Sequence, residues 1–388
     1  MHDMPLALWA LPAGGFIIGI SGTFIGLSIM ENSIERGASL PAVIMEQSVY
    51  LLLPSLVSLL IAISTTRLAR KTVLLGLSAI FSLGLAILAL SRSADMLSIS
   101  FMLYAAVYIL YVGASSIVAA ESACPGKHAS ALALVFSGPI LGSVLAYPLF
   151  LWWMGINGGI AIVWIMAALG AASFMAIAKW VPPCRHGQPQ GLSGNIRALG
   201  RLQVLLSFAM TALLSSGLAI ASLSIGELLV KTTGFAPSSV LFVMLAFGAF
   251  QIIGNFYGGK LADKHLMPTL VASLSVLAIT QALLALAIHS KTVVAIMYAL
   301  SGAAAYAFAP SQQRRILAKA GAAPVLASTV NVAASCLGSV AGCWLLLPFF
   351  GRREGLSPAP LMAAGMTTIG LLVALYSWRL ERRRPHSY

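Results

Sequence analysis

Twelve apolar runs, each long enough to cross about 30 Å of hydrocarbon as a helix of roughly 20 residues, decide what this chain can fold into. They cover approximately 8–30, 41–63, 72–91, 96–119, 129–153, 158–180, 203–229, 238–260, 267–288, 292–312, 325–350 and 359–379. Lipid offers backbone amides no partner, so runs of this kind must close their hydrogen bonds inside helices. The expected fold is all-α, a polytopic membrane protein with twelve transmembrane helices.

The chain has 388 residues, of which 59% are hydrophobic and 9% charged, a balance that no soluble globule shows. Its net charge of +13 would suit nucleic acid if it formed a patch. The cations instead sit in short segments between apolar runs, where they set topology, so no nucleic-acid partner is expected. With both termini on one side, that side collects seventeen Lys and Arg residues and the other six. The positive-inside rule then places both termini in the cytoplasm, and a bacterial inner membrane is the expected location. Residues Met1 to Gly15 carry no Lys or Arg and no persuasive cleavage site, so the first run reads as a retained span. Cys124 and Cys184 fall on the inner side and Cys336 and Cys343 share one span, which leaves no extracellular pair for a disulfide.

Between Val181 and Gly200 the pattern breaks into Pro-Pro-Cys-Arg-His-Gly-Gln-Pro-Gln-Gly, with a short surface helix expected near Asn195 to Arg201. This linker, taken as 181–202, separates an N-terminal bundle (1–180) from a C-terminal bundle with a basic tail (203–388). The halves also repeat each other. Ser28, Ile29, Glu31 and Pro41 recur 196 residues later as Ser224, Ile225, Glu227 and Pro237. Gly138, Gly142, Pro148 and Phe150 recur 200 residues later as Gly338, Gly342, Pro348 and Phe350, and Arg67 to Lys71 aligns with Lys260 to Lys264 at an offset of 193. Two pseudo-symmetric six-helix bundles are therefore expected, with a substrate path near their pseudo-symmetry axis and alternating access by rocking.

The run Gly254-Asn-Phe-Tyr-Gly-Gly-Lys-Leu-Ala-Asp-Lys-His265 joins the eighth and ninth spans. Gly254, Gly258 and Gly259 make a bare helix face that a neighbour can approach closely. Lys260, Asp263 and Lys264 follow where the helix leaves the lipid, and Asp263 is placed to pair with a basic side chain across the gap. Such a contact can form in one arrangement of the helices and break in another.

This segment resembles the signature loop of the major facilitator superfamily, and the chain looks like its twelve-span drug and metabolite efflux branch. Ser137-Gly138-Pro139-Ile140-Leu141-Gly142 resembles part of that branch's antiporter signature, although Leu134 and Ser143 stand where glycines are expected. The resemblance implies a conformational latch from Gly254, Gly258, Gly259, Lys260, Asp263 and Lys264 with Arg67 and Arg70. It also implies a helix-interface motif from Gly138, Pro139 and Gly142, repeated as Gly338 and Gly342. Two departures stand out. The first-half loop has Thr65 and Thr66 for its glycine pair and Arg70 for its aspartate, so the second half is expected to carry most of the latch. Many proton-coupled relatives place an arginine in the fourth span where this chain has Ile109.

Few groups are left to couple transport to protons. Glu46 lies one to two turns inside the second span, where an ionised carboxylate is costly unless partnered; Glu31 and Glu227 are repeat mates at span ends. The alternative for all three is an outer rim touching water and headgroups. Tyr104, Tyr108 and Tyr111 fall on one face of the fourth span, able to stack on a flat substrate or to pack against a neighbouring helix. Gln47, Tyr50, Ser215, Ser216, Gln251, Tyr298, Tyr306 and Asn331 are further cavity candidates, the amides doubling as helix glue.

Met362 and Met366 have helical spacing but no His or Cys beside them in that span, so no metal is expected. No phosphate-binding loop, nucleophile or acid/base constellation is present, so neither a cofactor nor an enzymatic role is expected. The expected function is secondary active efflux of a small organic compound such as a drug, metabolite or siderophore, driven by protons. An importer or uniporter of the same fold, or a transport-dead receptor or scaffold, stays open. One chain supplies both halves of a pathway, and a monomer is expected.

Overall fold

The computed structural model describes residues 7–65, 68–90, 94–154, 159–182, 192–321, 323–350 and 355–383. The first half contains α1 (Ala7–Glu35), α2 (Leu40–Thr65), α3 (Arg70–Leu90), α4 (Ala94–Ser122), α5 (His128–Met154) and α6 (Gly159–Trp180). After the short α7 (Leu192–Leu199) come α8 (Leu202–Glu227), α9 (Pro237–Lys264), α10 (Leu266–Leu286), α11 (Lys291–Lys319), α12 (Pro324–Leu346) and α13 (Ala359–Arg383). All but α7 are long and apolar enough to span a membrane, and the described residues contain no strand. The twelve expected spans are therefore present. Several run longer than their apolar cores; α1 continues through Glu31 to Glu35, and α7 begins three residues before the expected surface helix.

Short connections rest on local backbone chemistry. Gly37 and Gly234 follow the first helix of each half with φ of 82° and 78°, and Gly126 and Gly321 precede α5 and α12 with φ of 78° and 55°. A side chain is strained in this left-handed region, so glycine ends the helix there. Pro237 and Pro324 then open α9 and α12, where a missing amide hydrogen costs nothing.

The two halves use the same internal packing. In the first, α1 packs on α4 and α6, α2 on α4, and α3 on α4 and α6; in the second, α8 packs on α11 and α13, α9 on α11, and α10 on α11 and α13. The repeat reaches atomic detail. A side chain at Gly138 or Gly142 would overlap the carbonyl oxygens of Pro12 and Phe16, and one at Gly338 or Gly342 those of Ala212 and Ser216. Both glycines and both partners are thus displaced by the same 200 residues, the close approach that small residues allow in membranes.

By contact the chain falls into two compact units, Met1–Ser193 with Pro324–Ala333, and Gly194–Ala323 with Ala334–Tyr388. The first turns of α12 join the first unit through Ser328, whose hydroxyl donates to the Gly113 carbonyl at 3.0 Å. Leu60, Leu90, Phe242 and Leu286 are 67% to 81% exposed while Ser55, Ser207, Ser311 and Thr367 are fully buried. Apolar surface faces outward and polar groups inward, the distribution lipid demands.

Candidate functional site

At the ends of α1 and α2 opposite the basic loops, Glu46 is half-buried. The Tyr50 hydroxyl donates to its Oε1 at 2.7 Å and Ser33 approaches its Oε2 at 3.5 Å. Tyr50 also meets Ser98 of α4, so one carboxylate ties three helices through hydroxyl groups. Among the described residues no Lys or Arg forms an ion pair with it. Glu31 and Glu227, repeat mates of each other, are placed differently. Glu31 is half-buried at the end of α1, and Glu227 forms an i,i+4 pair with Lys231 at 3.0 Å where α8 passes into a π turn. Gln47 donates to the Gly26 carbonyl at 2.8 Å, fastening α2 to α1.

The tyrosine stripe on α4 divides in two. Tyr104 and Tyr108 are half-buried with ring centroids 5.9 Å apart, continuing from Phe101 at 5.6 Å. Tyr104 lies over Gly22 of α1, which has no side chain to obstruct it. Tyr111 departs from the cavity role: it is fully buried, and its hydroxyl donates to the Leu11 carbonyl at 2.9 Å. Tyr298 departs likewise, being 3% exposed and stacked on Phe247 at 4.3 Å with its hydroxyl against Met244. A phenol inside lipid takes the nearest acceptor, so both serve helix packing.

Of the other candidates, Tyr306 is half-buried and Gln251, Asn331, Ser215 and Ser216 are buried. Ser215 and Ser335 share a hydrogen bond of 2.7 Å that joins α8 to α12. Ile109 is fully buried and contributes no charge to the interior of α4.

At the basic ends, the bare face of α9 meets α11. A side chain at Gly254 or Gly258 would overlap the backbone of Ala303 or Ala307, and Gly259 is buried beside them. Asp263 faces Arg314 at 3.8 Å, and Arg314 also bonds the Ala262 carbonyl. Lys260 and Lys264 are exposed, Lys260 lying over the Tyr257 ring at 5.8 Å. In the first half Arg70 pairs with Glu121 at the end of α4, and Lys71 donates to the Ala178 carbonyl at 2.7 Å. Arg67 lies outside the described residues.

One group escaped the reading of the sequence. Arg315, counted there as a topology-setting cation, is 1% exposed. Its guanidinium donates to Gln203 at 2.8 Å, Ser377 at 2.7 Å, Ser207 at 3.2 Å and Glu381 at 2.9 Å. Lys319 adds a second cation to Glu381 at 3.3 Å. Gln312, one turn earlier, donates to the Ser207 carbonyl at 2.6 Å. The hub therefore binds α8, α11 and α13 together. Its only trace in the sequence is the polar run Gln312 to Arg315, in which Gln312 and Arg315, three residues apart, share one helical face.

The family model of the Major Facilitator Superfamily matches residues 12–343. The chain belongs to the major facilitator superfamily. Members of this superfamily are transporters and not enzymes, so this chain is a membrane transporter of a small substrate. It is 30% identical to the inner membrane transport protein YdhP of Escherichia coli O157:H7, over 96% of each chain. It is 24% identical to a chloramphenicol resistance protein of Streptomyces lividans over 64% of each. Among solved structures it is similar in fold to the Escherichia coli fucose:proton symporter FucP, with a TM-score of 0.76, 13% identity and coverage of 96% and 98%.

Proposed function

We propose that this superfamily member exports a small neutral or amphipathic organic compound across the inner membrane in exchange for protons, by alternating access, as a monomer with both termini in the cytoplasm. Support for coupling comes from one observation above all. Glu46 is the membrane carboxylate met by hydroxyls and, among the described residues, by no cation. A carboxylate held this way can bind a proton without breaking an ion pair, and a proton bound at one face and released at the other drives exchange. In the first half Tyr104 and Tyr108 offer half-buried aromatic surface with hydroxyls for a flat organic cargo, and in the second half Tyr306 does the same on its own. The absence of a Lys or Arg deep in α4 disfavours small anions. The likeness to YdhP supports the inner membrane and that to the chloramphenicol resistance protein supports export.

The test uses inside-out vesicles carrying the full chain, acidified inside, with chloramphenicol as first probe. Further cargo is found by comparing metabolites of medium and cells with and without the chain. We expect acid-driven accumulation that Glu46→Gln abolishes while downhill movement persists. A Glu46→Gln variant that still concentrates its cargo on an imposed pH gradient removes Glu46 from the coupling role. Ile109 favours a second reading, a uniporter, under which the imposed pH gradient changes neither the extent nor the direction of flux.

A further inference from the structure

The last helix, α13, carries its exposed side chains in one stripe. Leu361, Ile369, Leu372 and Tyr376 are 48% to 62% exposed and recur at helical spacing on a single face. In a helix that crosses lipid, this face meets the acyl chains. Arg379 and Arg383 continue the same stripe and are exposed as well. At the rise of an α-helix, Arg379 stands about 27 Å and Arg383 about 33 Å beyond Leu361, at the edge of about 30 Å of hydrocarbon. Both arginines therefore reach the phosphate level of a bilayer from its lipid side.

No acid of the chain answers their charge. The one carboxylate in the last turn of α13 is Glu381, held on the buried side by Arg315 at 2.9 Å and Lys319 at 3.3 Å. Among the described residues no carboxylate pairs with Arg379, Arg382 or Arg383. The Arg382 guanidinium lies over the Trp378 ring at 4.4 Å, and a stacked guanidinium keeps its in-plane N–H donors available. Arg382 and Arg383 follow Arg379 by three and four residues, so three positive side chains crowd one turn and repel. The last helix of the first half carries only Lys179 in its last turn, set over Trp180 at 5.7 Å. One cation therefore suffices for topology and the helix dipole, and three around an aromatic platform suit an anion held between them.

We infer that Trp378, Arg379, Arg382 and Arg383 form a site for the phosphate of an anionic phospholipid at the C-terminal end of α13. The phosphate accepts hydrogen bonds from the arginine forks while the acyl chains lie along Tyr376, Leu372 and Ile369. A lipid is favoured over a soluble phosphate because the arginines share their stripe with apolar residues. The bound lipid relieves repulsion in the same turn that carries Glu381, and so steadies the junction of α8, α11 and α13. The site needs a bilayer and no particular cargo or coupling ion.

The test is native mass spectrometry of the full chain released from nanodiscs of mixed phosphatidylglycerol and phosphatidylcholine, with melting temperatures read in each lipid alone. The parent should retain phosphatidylglycerol in preference to phosphatidylcholine and should melt higher in it. Arg379→Gln and Arg383→Gln should each lower that preference about fivefold, and the double variant should lose the rise in melting temperature. Arg379→Lys/Arg383→Lys, which keeps the charge, should stay within about threefold of the parent. Lys260→Gln/Lys264→Gln removes as much charge from the end of α9 and should change the preference less than about twofold. A parent without preference overturns the site, and an equal loss from the lysine pair and the arginine pair reduces it to diffuse attraction. Displacement of phosphatidylglycerol by excess inorganic phosphate makes the ligand a soluble anion and overturns the lipid. None of these readings depends on transport, so a failure of proton-driven export leaves the site to be decided by them alone.

Discussion

At the joint between α2 and α3 the chain places Arg70, with Glu121 at the end of α4 as its partner; at the corresponding joint of the second half it places Asp263, with Arg314. Around these reversed pairs the packing is shared. Gly138 and Gly142 admit the backbone of α1 as Gly338 and Gly342 admit that of α8. Beyond that the halves diverge. The position of Gly254 is taken in the first half by Ile61, which is 37% exposed, and that of Arg315 by Ser122. What persists between the halves is the distance at which backbones approach, and what drifts is the chemistry laid over it. A backbone contact leaves no room for a side chain, whereas an ion pair works equally well with either sign on either helix.

Six substitutions sharpen or break that contrast, read as thermal unfolding of the purified chain unless stated. Gly254→Ile should have the largest effect. It writes the first-half residue into the second half, and its side chain meets the Ala303 backbone, costing about 3 kcal/mol or more. The reciprocal Ile61→Gly changes a half-exposed position and should cost about 1 kcal/mol. Equal losses from both would show that the close approach is not peculiar to α9 and α11. Next comes Glu381→Gln, which leaves the Arg315 charge buried with neutral partners and should cost about 3 kcal/mol, while Ser122→Ala should be silent. Tyr111→Phe removes the bond to Leu11 and should cost about 0.6 kcal/mol; a cost near zero would return Tyr111 to the cavity candidates. Asp263→Asn should act on flux more than on stability, costing at most about 1 kcal/mol, with the effect appearing as slowed transport in vesicles. Unimpaired flux would count against a latch there.

Much of the fold was legible because membrane crossing is a matter of length and composition, which a sequence states directly. The repeat and the bare face of α9 were legible for the same reason: glycines at Gly254 and Gly258 can be counted without knowing what fills the gap. Arg315 was not legible. A cation near the end of an apolar run looks like a topology marker, and its partners Gln203, Ser377 and Glu381 come from helices more than sixty residues away or farther. Tyr111 and Tyr298 were hard to read for a related reason, since periodicity gives the face of a helix and not the carbonyl that waits opposite. The pairing of Glu121 was within reach, because the offset that aligns Arg70 with Asp263 also aligns Glu121 with Arg314.

The claim on which the functional account turns is proton-driven export, and the most direct measurement is made in inside-out vesicles loaded with this chain and bathed in a whole-cell extract. With the interior acidified, mass spectrometry of the vesicle contents should find at least one organic compound concentrated above its outside level, and a protonophore or Glu46→Gln should abolish the excess. Contents that match those of vesicles lacking the chain, or an excess that survives collapse of the pH gradient, would contradict the account.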